Sequence, residues 1–186
     1  SCLVGSEMFI RDSLSPFLES KEEDLIKIMN LQFKGPYQFF QACIPAMTEG
    51  GSIIQISSAT ATIMLDNHAA YMGTKAGIDH VIRTVANEFG ERGIRANSIS
   101  PGLTASPMTK DAMAAPGLEE AFLREYPLGR IGTSEDIAAM AVFLCSDECF
   151  LSGQNLQVNG GLTLRRNPRS ADIDASVAQA MAKLEN

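Results

Sequence analysis

Three short β-rich runs, at 52–57, 94–100 and 156–158, are separated by helical stretches of one or two dozen residues. That alternation constrains the fold more than any other feature of the sequence. Strands separated by helices of this length give a parallel sheet covered on both faces. The expected class is therefore α/β, a doubly wound parallel sheet. The chain's 186 residues suit one domain of ordinary size, and a 45% hydrophobic content is enough to bury a core.

The periodicity places the helices. Ser20, followed by Glu22 and Glu23, reads as a helix start with acidic residues in the first turn. Leu25, Ile28, Met29, Leu31 and Phe33 carry the apolar face to a kink at Gly35-Pro36. Phe39, Phe40, Ile44 and Met47 resume it, and Gly50-Gly51 ends it. A second helix runs over about 71–90 on Ile78, Val81, Ile82, Val85, Ala86 and Phe89. Pro101-Gly102 closes the second strand, and a stretch rich in Met, Ala and Pro fills 103–127. Ser134 starts a further helix through Ile137, Met140 and Leu144. Residues 165–186 read as a tail, polar and then weakly helical.

The charge balance excludes several functions. Lys and Arg number 15 against 22 Asp and Glu, a net charge of −7. Phosphate backbones and anionic membrane surfaces need the opposite sign, so neither nucleic acid nor a membrane is an expected partner. No apolar run approaches the roughly 20 residues of a membrane span. Cys2, Cys43, Cys145 and Cys149 are scattered and form no CxxC pair. Cys145 and Cys149 share one helical spacing, which reads as two small apolar residues rather than a metal site. Only His68 and His80 could complete such a site, and neither is assigned a role. A reducing, cytoplasmic location is the expectation.

The chemistry gathers at Tyr71-Met72-Gly73-Thr74-Lys75. Four residues apart on a helix, the phenol and the ammonium share a face. An ammonium stabilises phenolate and draws a tyrosine pKa down from about 10, which makes a proton donor for a carbonyl or an acceptor from an alcohol. Ser58 closes the first strand. Ligands of open α/β sheets bind beyond the carboxyl ends of strands, and a hydroxyl there meets the oxygen where negative charge develops. Taken singly, Tyr-x-x-x-Lys occurs by chance and a strand-end serine is an ordinary turn.

Together they resemble the short-chain dehydrogenase/reductase family. The matching blocks, in order, are 29–35, 51–58, Tyr71 through Lys75, Gly93-Ile94-Arg95-Ala96-Asn97 leading to Pro101-Gly102, Pro127-Leu128-Gly129-Arg130 and Val158-Asn159-Gly160-Gly161. They cover about 20–164. The resemblance implies a Rossmann-like fold over 14–164 and an oxidoreductase moving hydride between NAD or NADP and a small carbonyl or secondary alcohol. It implies Tyr71 as general acid/base, and Lys75 as the group that lowers its pKa and holds the nicotinamide ribose. Ser58 would polarise the substrate oxygen, and Asn30 would hold a water linking Lys75 to solvent. Pro101, Gly102, Leu103, Thr104 and Ser106 would receive the nicotinamide carboxamide. Ser106 stands where the family often has Thr, and Asn159 where Asp is more usual. No metal is implied.

The Gly-rich turn that would hold the pyrophosphate is absent, since Gly50-Gly51 precedes a strand instead of opening a helix. The cofactor half of the domain is expected to be missing, which leaves the first strand's edge exposed and the chain alone aggregation-prone and inactive. Residues 1–13 show no periodicity and resemble a translated sequencing-adapter end, so they are set aside as non-native. An alternative is a non-catalytic half-domain that uses its two long helices for association. A sugar-nucleotide epimerase or dehydratase fits less well, given the context of Pro101-Gly102 and Gly160-Gly161. Met64, Leu65, Met108, Met113, Leu118 and Phe122 are candidate pocket residues. A homodimer or homotetramer built on the helices around 22–48 and 71–91 is the family's habit.

Overall fold

The computed structural model describes residues 15–107 and 109–184. The 1–13 segment and Met108 lie outside the described residues. Three strands, β1 (Gly51–Ile56), β2 (Ile94–Pro101) and β5 (Asn155–Val158), form one parallel sheet in the order β1-β2-β5. Gly51 pairs with Ile94 and Ile56 with Ile99; Ser98 pairs with Asn155 and Pro101 with Val158. Among the described residues, β1 has β2 as its single strand partner.

Alternation along the strands builds two cores. Ile53, Ile94 and Ala96 face α2 (Gly35–Cys43) and α3 (Ala69–Phe89), where Phe40, Ile44, Ile78, Ile82 and Val85 meet them. Ile54, Ile56, Ile99 and Leu156 face α6 (Ser134–Cys145), with Leu144 and Ile137. The sheet is thus covered on both faces, as the alternation requires. A third cluster of Ala59, Phe122, Tyr126, Ile131 and Leu162 lies beyond the strands' carboxyl ends. It packs under α4 (Lys110–Met113), α5 (Leu118–Leu123) and α7 (Ser170–Leu184). A two-residue parallel pair, β3 (Thr104–Ala105) with β4 (Gly132–Thr133), anchors the base of this region.

Several boundaries differ from the sequence reading. Ser20 does not cap α1 (Glu22–Met29): its hydroxyl turns back to the Pro16 carbonyl and to Ser15, and Lys21 occupies the cap position without a side-chain bond. The helix passes into a π turn at Asn30–Lys34, closed by the Gly35 N–H donating to the Asn30 carbonyl. Pro36 explains the widening, because a proline ring clashes with the carbonyl four residues back in a regular helix. The helix ends at Cys43, well before Gly50, because Pro45 lies in the following 3-10 turn Ile44–Ala46. Thr133, not Ser134, caps α6, in a reciprocal box with Asp136. Cys145 is the last residue of α6, whereas Cys149 lies beyond it, buried against Ile99 and Leu144, so the two do not share a helix. Among the described residues no helix is long and apolar enough to cross a membrane.

Candidate active site

The carboxyl end of β1 meets Tyr71 and Lys75, with Ser58 two residues beyond it and the 101–106 loop following the neighbouring β2, while Asn30 stands apart on an exposed turn. Lys75 enters from α3 and is buried, and its Nζ donates to the carbonyl of Ile56, the last residue of β1, at 2.8 Å. Tyr71 sits one turn earlier, half-buried, with the Lys75 Nζ 5.6 Å from its ring centroid. The helical spacing therefore delivers both groups to one strand end.

Ser58 lies two residues past Ile56, in extended backbone, and caps the short 3-10 turn Ala59–Ala61. Its Oγ accepts from the Thr60 N–H at 3.2 Å and from the Thr60 hydroxyl at 2.9 Å. A hydroxyl that already accepts twice has its own hydrogen left to donate. Asn30 opens the π turn with its side chain exposed. The turn leans on α3, where a Cβ on Gly77 would crowd the Phe33 ring at 3.1 Å.

Beyond β2 the 101–106 loop is tightly built. The Thr104 hydroxyl donates to the Gly102 carbonyl at 3.0 Å, and the Thr109 hydroxyl donates to the Thr104 carbonyl at 2.7 Å. The Ser106 N–H donates to the Thr109 hydroxyl at 3.0 Å. Gly102 has no room for a side chain, since a Cβ there would overlap the Tyr126 hydroxyl. That hydroxyl reaches the Leu103 carbonyl at 3.3 Å, and burial pushes Tyr126 up to about 12. Pro101, Gly102, Leu103, Thr104 and Ser106 are all half-buried along this rim.

Two residues escaped the sequence reading. His68 packs edge-on against Tyr71, with ring centroids 6.3 Å apart. Its Nδ1 lies 2.6 Å from the Asp66 carbonyl, and burial holds its pKa below the usual histidine value. Asp79 continues the face of Tyr71 and Lys75 one turn further along α3. Its Oδ2 accepts from the Ser57 hydroxyl at 2.8 Å and from the Asn155 amide, so one carboxylate joins α3 to the ends of β1 and β5. Burial pushes its pKa up, against the opposing pull of Ser57, Lys75 and Asn155. Asp79 Oδ1 and Ser98 Oγ are buried, and Ser98 faces the carboxyl without a bond of standard geometry. The signal for Asp79 was its i+8 position on the Tyr71 face.

Comparison with known proteins places this site in context. A family model described as enoyl-(acyl carrier protein) reductase matches residues 3–163, starting inside the segment that read as foreign. The 3-oxoacyl-(acyl-carrier-protein) reductase of Staphylococcus aureus is 34% identical over 163 residues, covering 86% of this chain and 65% of that protein. A short-chain type dehydrogenase/reductase from Mycobacterium ulcerans superposes with a TM-score of 0.82 at 32% identity, covering 91% of this chain and 63% of that one. A gluconate 5-dehydrogenase from Burkholderia cenocepacia, solved with NADP and tartrate, gives 0.77 at 25% identity, covering 82% and 61%. The chain thus spans just under two thirds of the relatives it matches.

Proposed function

Because the chain belongs to the short-chain dehydrogenase/reductase family, we propose that it carries the catalytic residues of an oxidoreductase that moves hydride between a nicotinamide cofactor and a carbonyl or secondary alcohol. The observation that carries this reading is the buried Lys75 ammonium, held by the Ile56 carbonyl beside the Tyr71 ring. With the Asp79 carboxylate offsetting part of its charge from within the fold, this buried ammonium at the ligand end of a parallel sheet is placed to stabilise an anion that forms at the neighbouring phenol.

The residues present fit such a cofactor by the chemistry of their donor set. Lys75 and Tyr71 offer an ammonium and a phenol to the ribose diol. Pro101, Gly102, Leu103, Thr104 and Ser106 form the adjoining rim, suited to the carboxamide. When bound, the cofactor supplies or accepts hydride at its C4. The chain's own part is the proton and the oxygen. In carbonyl reduction Tyr71 gives its phenolic proton to the substrate oxygen, and Ser58 donates its remaining hydrogen to the same oxygen. Lys75 steadies the phenolate that results. Asn30, at the π turn, is the proposed holder of a water that returns a proton to Lys75. Alcohol oxidation runs these steps in reverse. NAD and NADP both remain within the proposal, as does a cytoplasmic location. Self-association through α1 and α2 is part of it too, supported by the exposed Leu25, Ile26, Met29, Tyr37 and Phe39.

Lys75→Met in the full-length protein is the test. Removing the ammonium is expected to cut kcat by about 100-fold or more. It should also shift the limb on which alcohol oxidation rises with pH, where the phenolate base forms, to higher pH, because the ammonium no longer stabilises the phenolate. An unchanged profile with full activity contradicts the assignment.

A further inference from the structure

The face of the sheet that packs on α3 changes character along its length. In mid-strand, Ile53 of β1 pairs with Ala96 of β2, and both lie in the apolar core against α3. Two residues on, along the same face, Gln55 pairs with Ser98, and Ser98 with Asn155 of β5. Ser57 continues this polar row. Into it α3 sends one carboxylate, Asp79, one helical turn beyond Lys75 and two beyond Tyr71. We propose that Asp79 is a positioning residue of the reaction: it pins the strand end that carries Ser58 and the Lys75 anchor, and its charge sets how strongly Lys75 draws the Tyr71 phenol toward phenolate. This rests on the proposed function above.

Three consecutive residues divide the work at the end of β1. The Ile56 carbonyl accepts from Lys75 Nζ at 2.8 Å. The buried Ser57 donates its hydroxyl to Asp79 Oδ2 at 2.8 Å and its N–H to the Ile99 carbonyl at 2.7 Å. Ser58 carries the hydroxyl that meets the substrate oxygen. Ser57 thus has its backbone held by β2 and its side chain by α3, and a shift there moves both neighbours. Asn155 is aimed just as firmly. Its Oδ1 accepts from Gln157 Nε2 at 2.8 Å, which leaves its Nδ2 to donate to Asp79. Ser98 faces the same carboxyl from β2. A carboxylate suits a site ringed by donors, because it accepts only and has room for several of them.

Stability alone does not call for a charge here. Burial works against the ionised carboxyl, and a well-packed apolar side chain often serves a fold equally well. What the charge supplies is a counter-field to the ammonium. Lys75 favours phenolate at Tyr71, and Asp79, about 12 Å from Tyr71 along the helix, opposes it more weakly. Among the described residues, the charged group facing Asp79 is Lys75 on its own helix. From β1, β2 and β5 it meets the hydroxyls of Ser57 and Ser98 and the amide of Asn155, none of which titrates. Tyr71 is faced by Lys75 and by His68 at the start of α3.

The test compares three variants of the full-length protein, each assayed under conditions where urea unfolding shows it fully folded. Asp79→Asn keeps an acceptor for Ser57 and removes the charge. Its plateau kcat should stay within about threefold of the parent, while the limb on which alcohol oxidation rises with pH moves to lower pH by about half a unit to one unit. That direction is opposite to the one expected of Lys75→Met. Asp79→Ala and Ser57→Ala remove the bond itself, and each should cut plateau kcat by about tenfold, with KM for nicotinamide and for carbonyl within about threefold. Combining the two should cost no more than the worse of them, because both break one contact. An unshifted limb in Asp79→Asn overturns the proposal, and so does parental kcat in Ser57→Ala or a fully additive loss in the combined variant. Should Asp79→Ala fail to fold, Asp79→Asn and Ser57→Ala decide. A parent protein that turns over no carbonyl with either nicotinamide overturns the proposed function and this inference with it. An active parent whose limb stays put in Asp79→Asn overturns this inference alone.

Discussion

Asp79→Ala should cost about 3 kcal/mol of stability. The carboxylate accepts from Ser57, 4% exposed, at 2.8 Å and from the half-buried Asn155. Deleting it strands both donors, each at roughly 1–3 kcal/mol, and the larger charge goes to Ser57, the more buried of the two. Part of that loss is offset because the variant no longer buries a carboxylate. Asp79→Asn keeps an acceptor oxygen and should lose only about 1 kcal/mol. Urea unfolding of parent and variants at neutral pH measures both. A loss below about 0.5 kcal/mol for Asp79→Ala refutes the idea that this carboxylate clamps α3 to the strand ends.

The same residue has a pH signature of fixed sign. Its folded pKa is raised above the ordinary 3.8, so the folded state binds the proton more tightly than the unfolded chain does. The Asp79 contribution is therefore most favourable below 3.8 and declines as pH rises through the folded value. The charged group facing it is Lys75 on α3; Ser57 of the β1 end, Ser98 of β2 and Asn155 of β5 face it from the sheet. Asp79→Asn should flatten that decline, and an identical slope in parent and variant contradicts the assignment.

Two further perturbations probe the frame. Ile78 is completely buried between α3 and the sheet, so Ile78→Ala should cost about 3 kcal/mol in denaturant unfolding at an unchanged m-value. Asp136, paired with Arg130 and bonded to the Thr133 N–H, has its pKa held well below the usual carboxylate range. Its contribution is present above 3.8 and lost as pH falls below it, so melting temperatures taken from pH 5 to pH 3 should drop less steeply in Asp136→Asn.

Much of this site was legible because its signals are local. Tyr71 and Lys75 are one turn apart, so spacing put them on one helix face, and Ser58 follows a β-rich run; the family resemblance joined the two into one site. The alternation of runs and helices gave the doubly wound sheet. What escaped depends on partners far along the chain. Asp79 reads as one more polar position on an amphipathic helix until Ser57 and Asn155 are folded beneath it. The π turn at Asn30–Lys34 has no periodic signature of its own, and Pro36 reads as a kink. The tail read as weakly helical because α7 is held by bonds from Asn167 to Met64 and from Ser170 to Asp66, about a hundred residues away. Residues that near one another in space but that distant in sequence leave no local pattern.

The central claim is that Tyr71 moves the proton in a nicotinamide-dependent reaction, and Tyr71→Phe in the full-length protein tests it most directly. Nicotinamide oxidation followed with a panel of carbonyl substrates should fall by about 10²–10⁴ in the variant, because the phenolic proton donor is gone. Cofactor affinity should stay within about threefold of the parent, a shift of less than roughly 0.7 kcal/mol, since the Lys75 ammonium and the 101–106 rim remain. A variant that keeps the parent's rate contradicts the claim.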